Sequence, residues 1–154
     1  MSPDLKQHDS LSRLEKQLHR ADAITRELMS SVLAQTRSGA RASSEKASRV
    51  HRLIDAEAWT DVALALIDLE LPQWKLRHLV NEDGTWSCAL SKCWHLPQWL
   101  DDAVEASHPV LELAILCAFV AAQQGRLIAS EACRPSVPQV RPGPDCALCC
   151  DNFA

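Results

Sequence analysis

Between residues 5 and 36 the chain has neither glycine nor proline, and Leu11, Leu14, Leu18, Ala21, Leu28 and Val32 recur at alternating steps of three and four, with Thr25 at the one polar position. Apolar residues spaced this way share one helix face. The pattern predicts a single amphipathic helix of about three heptads. Ala21 and Thr25 weaken its seam, and Gln17 and Asp22 form no flanking charge pair, so packing on its own domain is expected ahead of a coiled coil. The stretch TRSGARASSEKASR, residues 36–49, is small, polar and basic and reads as a hinge or connector. A helix resumes near Ser44 and runs to Glu70 with a break around Asp55, its apolar face carried by Val50, Leu53, Ile54, Ala58, Val62, Ala65, Leu66 and Leu69. It stops at Leu71, because a residue before proline is pushed out of the helical region.

The period then changes. K-L-R-H-L-V and T-W-S-C-A-L-S alternate with a period near two around N-E-D-G, which predicts a β-hairpin at about residues 75–91. A three-residue loop, Glu82-Asp83-Gly84, would oppose Asn81 to Thr85, Val80 to Trp86, His78 to Cys88 and Leu76 to Leu90. It would gather Leu76, His78, Val80, Trp86, Cys88 and Leu90 on one face, which the flanking helices or a second copy must cover, since a lone hairpin is marginal in water.

Pro97 reads as the first turn of a short helix with Trp99, Leu100, Ala103 and Val104 inward and Asp101, Asp102 and Glu105 outward. Ser107 or His108 would cap a further helix, with Pro109 in its first turn and Gly125 closing it. Apart from Glu112, residues 110–122 are apolar nearly all round, as befits the centre of a core or an oligomer interface. Four prolines between Arg134 and Pro144 exclude regular structure there and predict a disordered, cysteine-containing tail.

The expected fold is therefore α+β, mainly α with one β-hairpin: long N-terminal helices, the hairpin, two C-terminal helices and the tail. The expected organisation is residues 1–43 as N-terminal helix and basic connector, 44–133 as core, and 134–154 as tail. The tetrapeptide LPQW occurs twice, at residues 71–74 and 96–99. Residues after the first copy alternate with period two, and those after the second recur at helical spacing, so the copies are boundary marks around the hairpin and not a structural repeat.

Composition narrows the function classes. With 154 residues, 47% hydrophobic and 23% charged, the chain has the size and make-up of one soluble globular domain. Its net charge of −4 divides unevenly: residues 1–55 hold ten Lys/Arg against seven Asp/Glu, for +3, leaving six against thirteen, for −7. An acidic core argues against a nucleic-acid partner, and the basic N-terminal positions read as a solvated helix face. The N-terminal MSPDLKQHDSLSR lacks a signal-peptide core, and no stretch approaches the roughly 20 apolar residues that span a bilayer, so a cytoplasmic setting without membrane contact is expected. Seven cysteines in that compartment are expected as thiols or metal ligands.

Candidate chemistry is sparse. Cys146, Cys149 and Cys150 form a C-x-x-C-C cluster whose thiolates could hold Zn²⁺ or another soft metal, although no second ligand pair completes a recognised site. His78, Cys88, Cys93 and His95 could form a metal site or a Cys–His nucleophile, but no orienting third group accompanies them. The bland alternative is a buried thiol and a marginal core histidine. Five tryptophans lie between Trp59 and Trp99, mostly as core filling; Trp74 and Trp94 are the members expected at the surface, and Trp74, Trp94 and Trp99 mark a candidate interaction surface. Only four glycines occur, and no phosphate-binding loop, HExxH or GxSxG is present.

The runs EDGTWSCALS, LPQWLDDAVEASH and LELAILCAFVAA resemble a pattern of small uncharacterised proteins of alphaproteobacteria. The resemblance covers roughly the central third of the chain and implies a bacterial cytosolic setting, with no activity attached. The expectation is a non-enzymatic, cofactor-free interaction or regulatory module whose partner is a protein or a second copy. A thiol or metal-handling protein and a Cys/His enzyme are the alternatives.

Overall fold

The computed structural model of the chain describes residues 3–36, 45–93, 95–97 and 103–132. Among these are helices α1 (Pro3–Arg20), α2 (Arg26–Ala34), α3 (Glu45–Asp55), α4 (Trp59–Glu70) and α5 (Leu111–Ala132), and strands β1 (Lys75–Glu82), β2 (Thr85–Ser91) and β3 (Val104–His108). The predicted α+β class, mainly helical with a hairpin at 75–91, describes the protein. The predicted tail, residues 134–154, lies outside the described residues.

The chain is organised by α5. The eight consecutive residues 113–120 are each no more than 1% exposed, so every side of this helix is covered. α1 and α4 pack against it, and β2 and β3 cover another side. It is the centre of the core of a single chain. Leu11, Leu14 and Leu18 of α1 and Met29 and Val32 of α2 join the same apolar cluster, which places the N-terminal helices in cis, and Gln124 Nε2 donates to Glu15 Oε2 at 3.1 Å across the α1–α5 contact.

The single helix expected over 5–36 is two helices. Thr25, the polar residue in the heptad series, has extended backbone angles (φ −123°, ψ 157°), and its Oγ1 accepts the Leu28 N–H at 3.1 Å as the N-cap of α2. A threonine in that role contributes about 1 kcal/mol. The spacing misled because two short helices packing on one core preserve the same rhythm as one long helix.

The predicted break near Asp55 is a helix C-cap. Ala58 N–H reaches Leu53 O and Glu57 N–H reaches Ile54 O, both at 3.0 Å, with Glu57 left-handed at φ 54°. This is the Schellman arrangement, in which glycine is the preferred residue. α4 ends as predicted before Pro72. Trp74 N–H then bonds Leu71 O at 2.8 Å, so the first LPQW is a β-turn that hands α4 to β1.

The hairpin differs from the expected register. Asp83 (φ 50°) and Gly84 (φ 82°) form a two-residue type I′ turn, and Glu82 pairs with Thr85, Asn81 with Trp86, Val80 with Ser87, Leu79 with Cys88 and His78 with Ala89. A primed two-residue turn matches the twist of the strands, and aspartate tolerates a positive φ, which favours this loop over the three-residue one. A bulge between Leu76 and His78 then restores the predicted Leu76–Leu90 pair. Trp86, Cys88 and Leu90 stay on the helix-facing side as expected, whereas Leu76, although paired with Leu90, is 40% exposed and stands clear of the core. Leu79 joins the inner three, while His78 and Val80 turn to the other face.

The short helix predicted from Pro97 gives way, from Val104, to strand β3, which pairs antiparallel with β2 through Leu90–Val104, Cys88–Ala106 and Trp86–His108. V-E-A-S-H alternates with period two, and this pairing satisfies backbone groups on the second edge of β2 that a helix would leave unpaired. Residues 98–102, including Trp99, lie outside the described residues. Ser107 and His108 do not cap the next helix: they end β3, α5 begins beyond Pro109 at Leu111 with Val110 O accepting Ala114 N–H, and His108 Nδ1 accepts Val110 N–H at 3.0 Å just ahead of the helix. Gly125 does not close α5, which continues to Ala132.

Two substitutions test this description. Glu57→Gly removes left-handed strain of roughly 1–2 kcal/mol, partly offset by the chain entropy of glycine. The exposed Arg26–Glu57 contact at 3.5 Å contributes little. Gly125→Ala adds a methyl that meets nothing within 4 Å inside a helix. Each is expected to stabilise by about 0.5–1 kcal/mol, read as a higher urea midpoint at unchanged m-value. Destabilisation by Glu57→Gly would contradict the cap geometry.

Candidate functional site

The I′ register decides which side chains meet on the face of the sheet turned away from α5. His78, Val80, Ser87, Ala89, Glu105 and Ser107 lie there. Ser87 Oγ donates to Glu105 Oε1 at 2.5 Å, Ser107 Oγ lies 3.5 Å from Ser87 Oγ, and His78 Nε2 stands 3.8 Å from Glu105 Oε1. The carboxylate occupies the middle of the row. A serine activated for attack needs the imidazole between hydroxyl and carboxylate, so this row has the residue types of a hydrolytic triad in the wrong order. It is a polar sheet surface with a histidine–carboxylate contact. The helix expected after Pro97 hid Ser87 and Glu105 from each other, and the expected hairpin register put His78 on the opposite face; the alternation of V-E-A-S-H and the Asp-Gly dipeptide were the signals that could have found them.

β1 forms one edge of the sheet, whose order is β1-β2-β3. α5 packs over β2 and β3, leaving β1 outboard of the helical layer. Two of the exposed large apolar side chains, Leu76 at 40% and Val80 at 41%, belong to this strand.

At the start of β1, the first LPQW builds a cleft. Leu71, Pro72, Gln73, Trp74, Lys92 and Arg126 line a cavity of about 230 Å³. Trp74, expected at the surface, is 6% exposed: its indole completes the core. Lys92 Nζ sits 5.1 Å from the ring centroid, a cation–π contact, and Arg126 Nη1 donates to Glu70 O at 3.0 Å. The cations of the cleft thus already have local roles. Trp94 and Trp99, the other members of the expected surface, lie outside the described residues.

The thiols are separated from the histidines. Cys88 is fully buried on the inner face, whereas His78 is on the outer face opposite Ala89, so the expected cross-strand Cys–His pair does not form. Burial, with the Glu105 charge adding to it, pushes the Cys88 thiol up to about 12, and burial likewise pushes Cys117 in α5 to about 12. Such thiols are neutral and unreactive. Cys93 is half-buried, and its N–H is held by Ser91 Oγ at 3.1 Å. Among the described residues no group of three or more His, Cys, Asp and Glu side chains is placed to hold a metal. Cys146, Cys149 and Cys150 lie outside the described residues.

No protein-family model, curated protein or solved structure matches the chain.

The thiol environment makes two linked predictions. At pH 8, Cys88 and Cys117 stay almost wholly protonated, so mass-mapped alkylation should label both only after unfolding, while Cys93 labels in the native state. Because the unfolded chain ionises them above about 9 and the fold only near 12, it binds fewer protons in that window, and stability should fall as pH rises from 9 towards 12. Rapid native labelling of Cys88 would contradict this and return a Cys-based chemistry to consideration.

Proposed function

We infer that the protein is a small non-enzymatic interaction module of the bacterial cytosol, working through self-association or the binding of a protein partner at the outer edge of its sheet. One observation carries this reading: an eight-residue strand with exposed Leu76 and Val80 stands at the edge of the sheet beside a core that is otherwise closed around α5. A long edge strand offers a row of backbone donors and acceptors and is a recurrent template for pairing with another chain. Two further points support it. The helix best suited to an oligomer interface by composition, α5, is enclosed in the core over residues 113–120, which removes it as a surface for association. The histidine, serine and buried-thiol groups sit in arrangements that do not activate one another. The cytosolic setting rests on the resemblance of the central third, and no helix among the described residues is long and apolar enough to cross a membrane.

A second reading, a thiol or soft-metal handling protein, is favoured by the C-x-x-C-C cluster at Cys146, Cys149 and Cys150 alone.

Sedimentation velocity over a wide concentration range tests the first reading. Pairing along a single strand edge buries less than a standard interface, so the complex should be weak and reversible. The weight-average sedimentation coefficient is expected to rise with concentration up to roughly 1 mM, where a complex of about −4 kcal/mol is half-formed. A strictly monomeric protein over the whole range would contradict self-association, and metal that co-purifies with the full chain but is lost on deleting its last ten residues would favour the second reading.

A further inference from the structure

We propose that the occupant of the β1 edge is β1 of a second copy, paired antiparallel about a two-fold axis through Val80, giving a six-stranded sheet. The proposal rests on the interaction reading above and specifies its surface and register.

The bulge between Leu76 and His78 limits regular pairing on this strand to residues 78–82, and that stretch is centred on Val80. In the hairpin, Glu82 faces Thr85 across the turn, so the backbone groups of Glu82, Val80 and His78 point towards β2, and those of Asn81 and Leu79 point outward, where no strand lies among the described residues. A two-fold axis through Val80 sets Leu79 opposite Asn81 of the second copy, and Asn81 opposite its Leu79. Each pair exchanges both of its outward N–H and C=O groups, and the two Val80 residues face each other as the non-hydrogen-bonded pair between them. Residues paired this way have the same parity, so each copy keeps its helices on the same side of the joined sheet.

This register also fixes the side-chain contacts. The two Val80 side chains, each 41% exposed, meet on the outer face, where opposed Cβ atoms stand about 4.5–5.5 Å apart. On that same face His78 falls opposite Glu82, twice over. The strand has a basic first half, Lys75, Arg77 (whose Nη2 also donates to Leu96 O at 3.1 Å) and His78 (which also stands 3.8 Å from Glu105), and an acidic end, Glu82 followed by Asp83. Running antiparallel to itself, it sets each basic half beside an acidic end. A parallel arrangement, or a partner strand of uniform charge, would lack this complementarity. The interface is isologous and uses both β1 edges, so it closes at two copies. Because α5 packs over β2 and β3, the helical layer is set back from the joined edge.

Engineered cysteines read the register. Val80→Cys puts two sulfurs on the axis within disulfide reach, so mild oxidation should give a covalent dimer whose peptide map shows residue 80 joined to residue 80. Glu82→Cys, which faces His78 of the other copy, should give no 82–82 link. Glu82→Lys places like charges across both ends and should weaken association about tenfold or more, measured by sedimentation velocity with circular dichroism confirming the fold. Formation of the 80–80 link with loss of association in Glu82→Lys would establish the pairing. If the wild type associates but neither variant behaves as stated, the register is wrong while the interaction reading stands. If the wild type stays monomeric and the 80–80 link does not form, both fall.

Discussion

The constraint on which this structure depends is the need to cover α5 on all sides. A helix apolar around its whole circumference cannot lie on a surface without exposing a large part of its area to water, at roughly 25 cal/mol for each Å² left uncovered. Residues 113–120 are buried throughout, and the remaining elements take positions that achieve this: α1 along one side, α4 along another, β2 and β3 over a third. The break at Thr25 lets α2 place Met29 and Val32 in the same cluster. The Schellman turn at Glu57 redirects the chain between α3 and α4.

Covering α5 uses two strands of the three. β1 contributes Leu79 to the margin of the core and otherwise stands beyond the helical layer, with one edge on β2 and the other open among the described residues. The same division sorts the chemistry. Cys88 and Cys117 face the apolar interior and are held neutral, whereas His78, Ser87, Glu105 and Ser107 share the polar face in an order that ties the carboxylate to a hydroxyl. Reactive groups are thereby kept apart, and among the described residues the outer edge of β1 has no strand paired to it. That edge is where association is proposed, and the way the core is closed leaves β1 placed for it.

Element types were legible in the sequence where one period dominated. The stop at Pro72, the break near Asp55, the hairpin and the apolar helix after Pro109 all rest on local rules that tertiary contacts reinforce. Three features were misread because one local signal fits two structures. Thr25 can sit in a heptad or cap a helix; residues after Pro97 can be read with helical spacing although V-E-A-S-H also alternates; Glu-Asp-Gly can be a three-residue loop or an Asp-Gly turn flanked by a paired glutamate. The last ambiguity moved His78 and Val80 to the outer face, and the helical reading after Pro97 hid the Ser87–Glu105 contact between β2 and β3. The burial of Trp74 was invisible because it depends on α5 and Lys92, distant in sequence from the turn that carries it. The first LPQW copy is a boundary mark that also shapes a cleft, and the second runs outside the described residues.

Engagement of the outer edge of β1 by another chain can be read at single residues by amide hydrogen exchange at low and high protein concentration. The Leu79 and Asn81 amides, which point outward, should exchange quickly in dilute solution and slow as concentration rises, while the Val80 amide, bonded to β2, keeps one rate throughout. Equal exchange of Leu79 and Asn81 at all concentrations would contradict pairing at this edge.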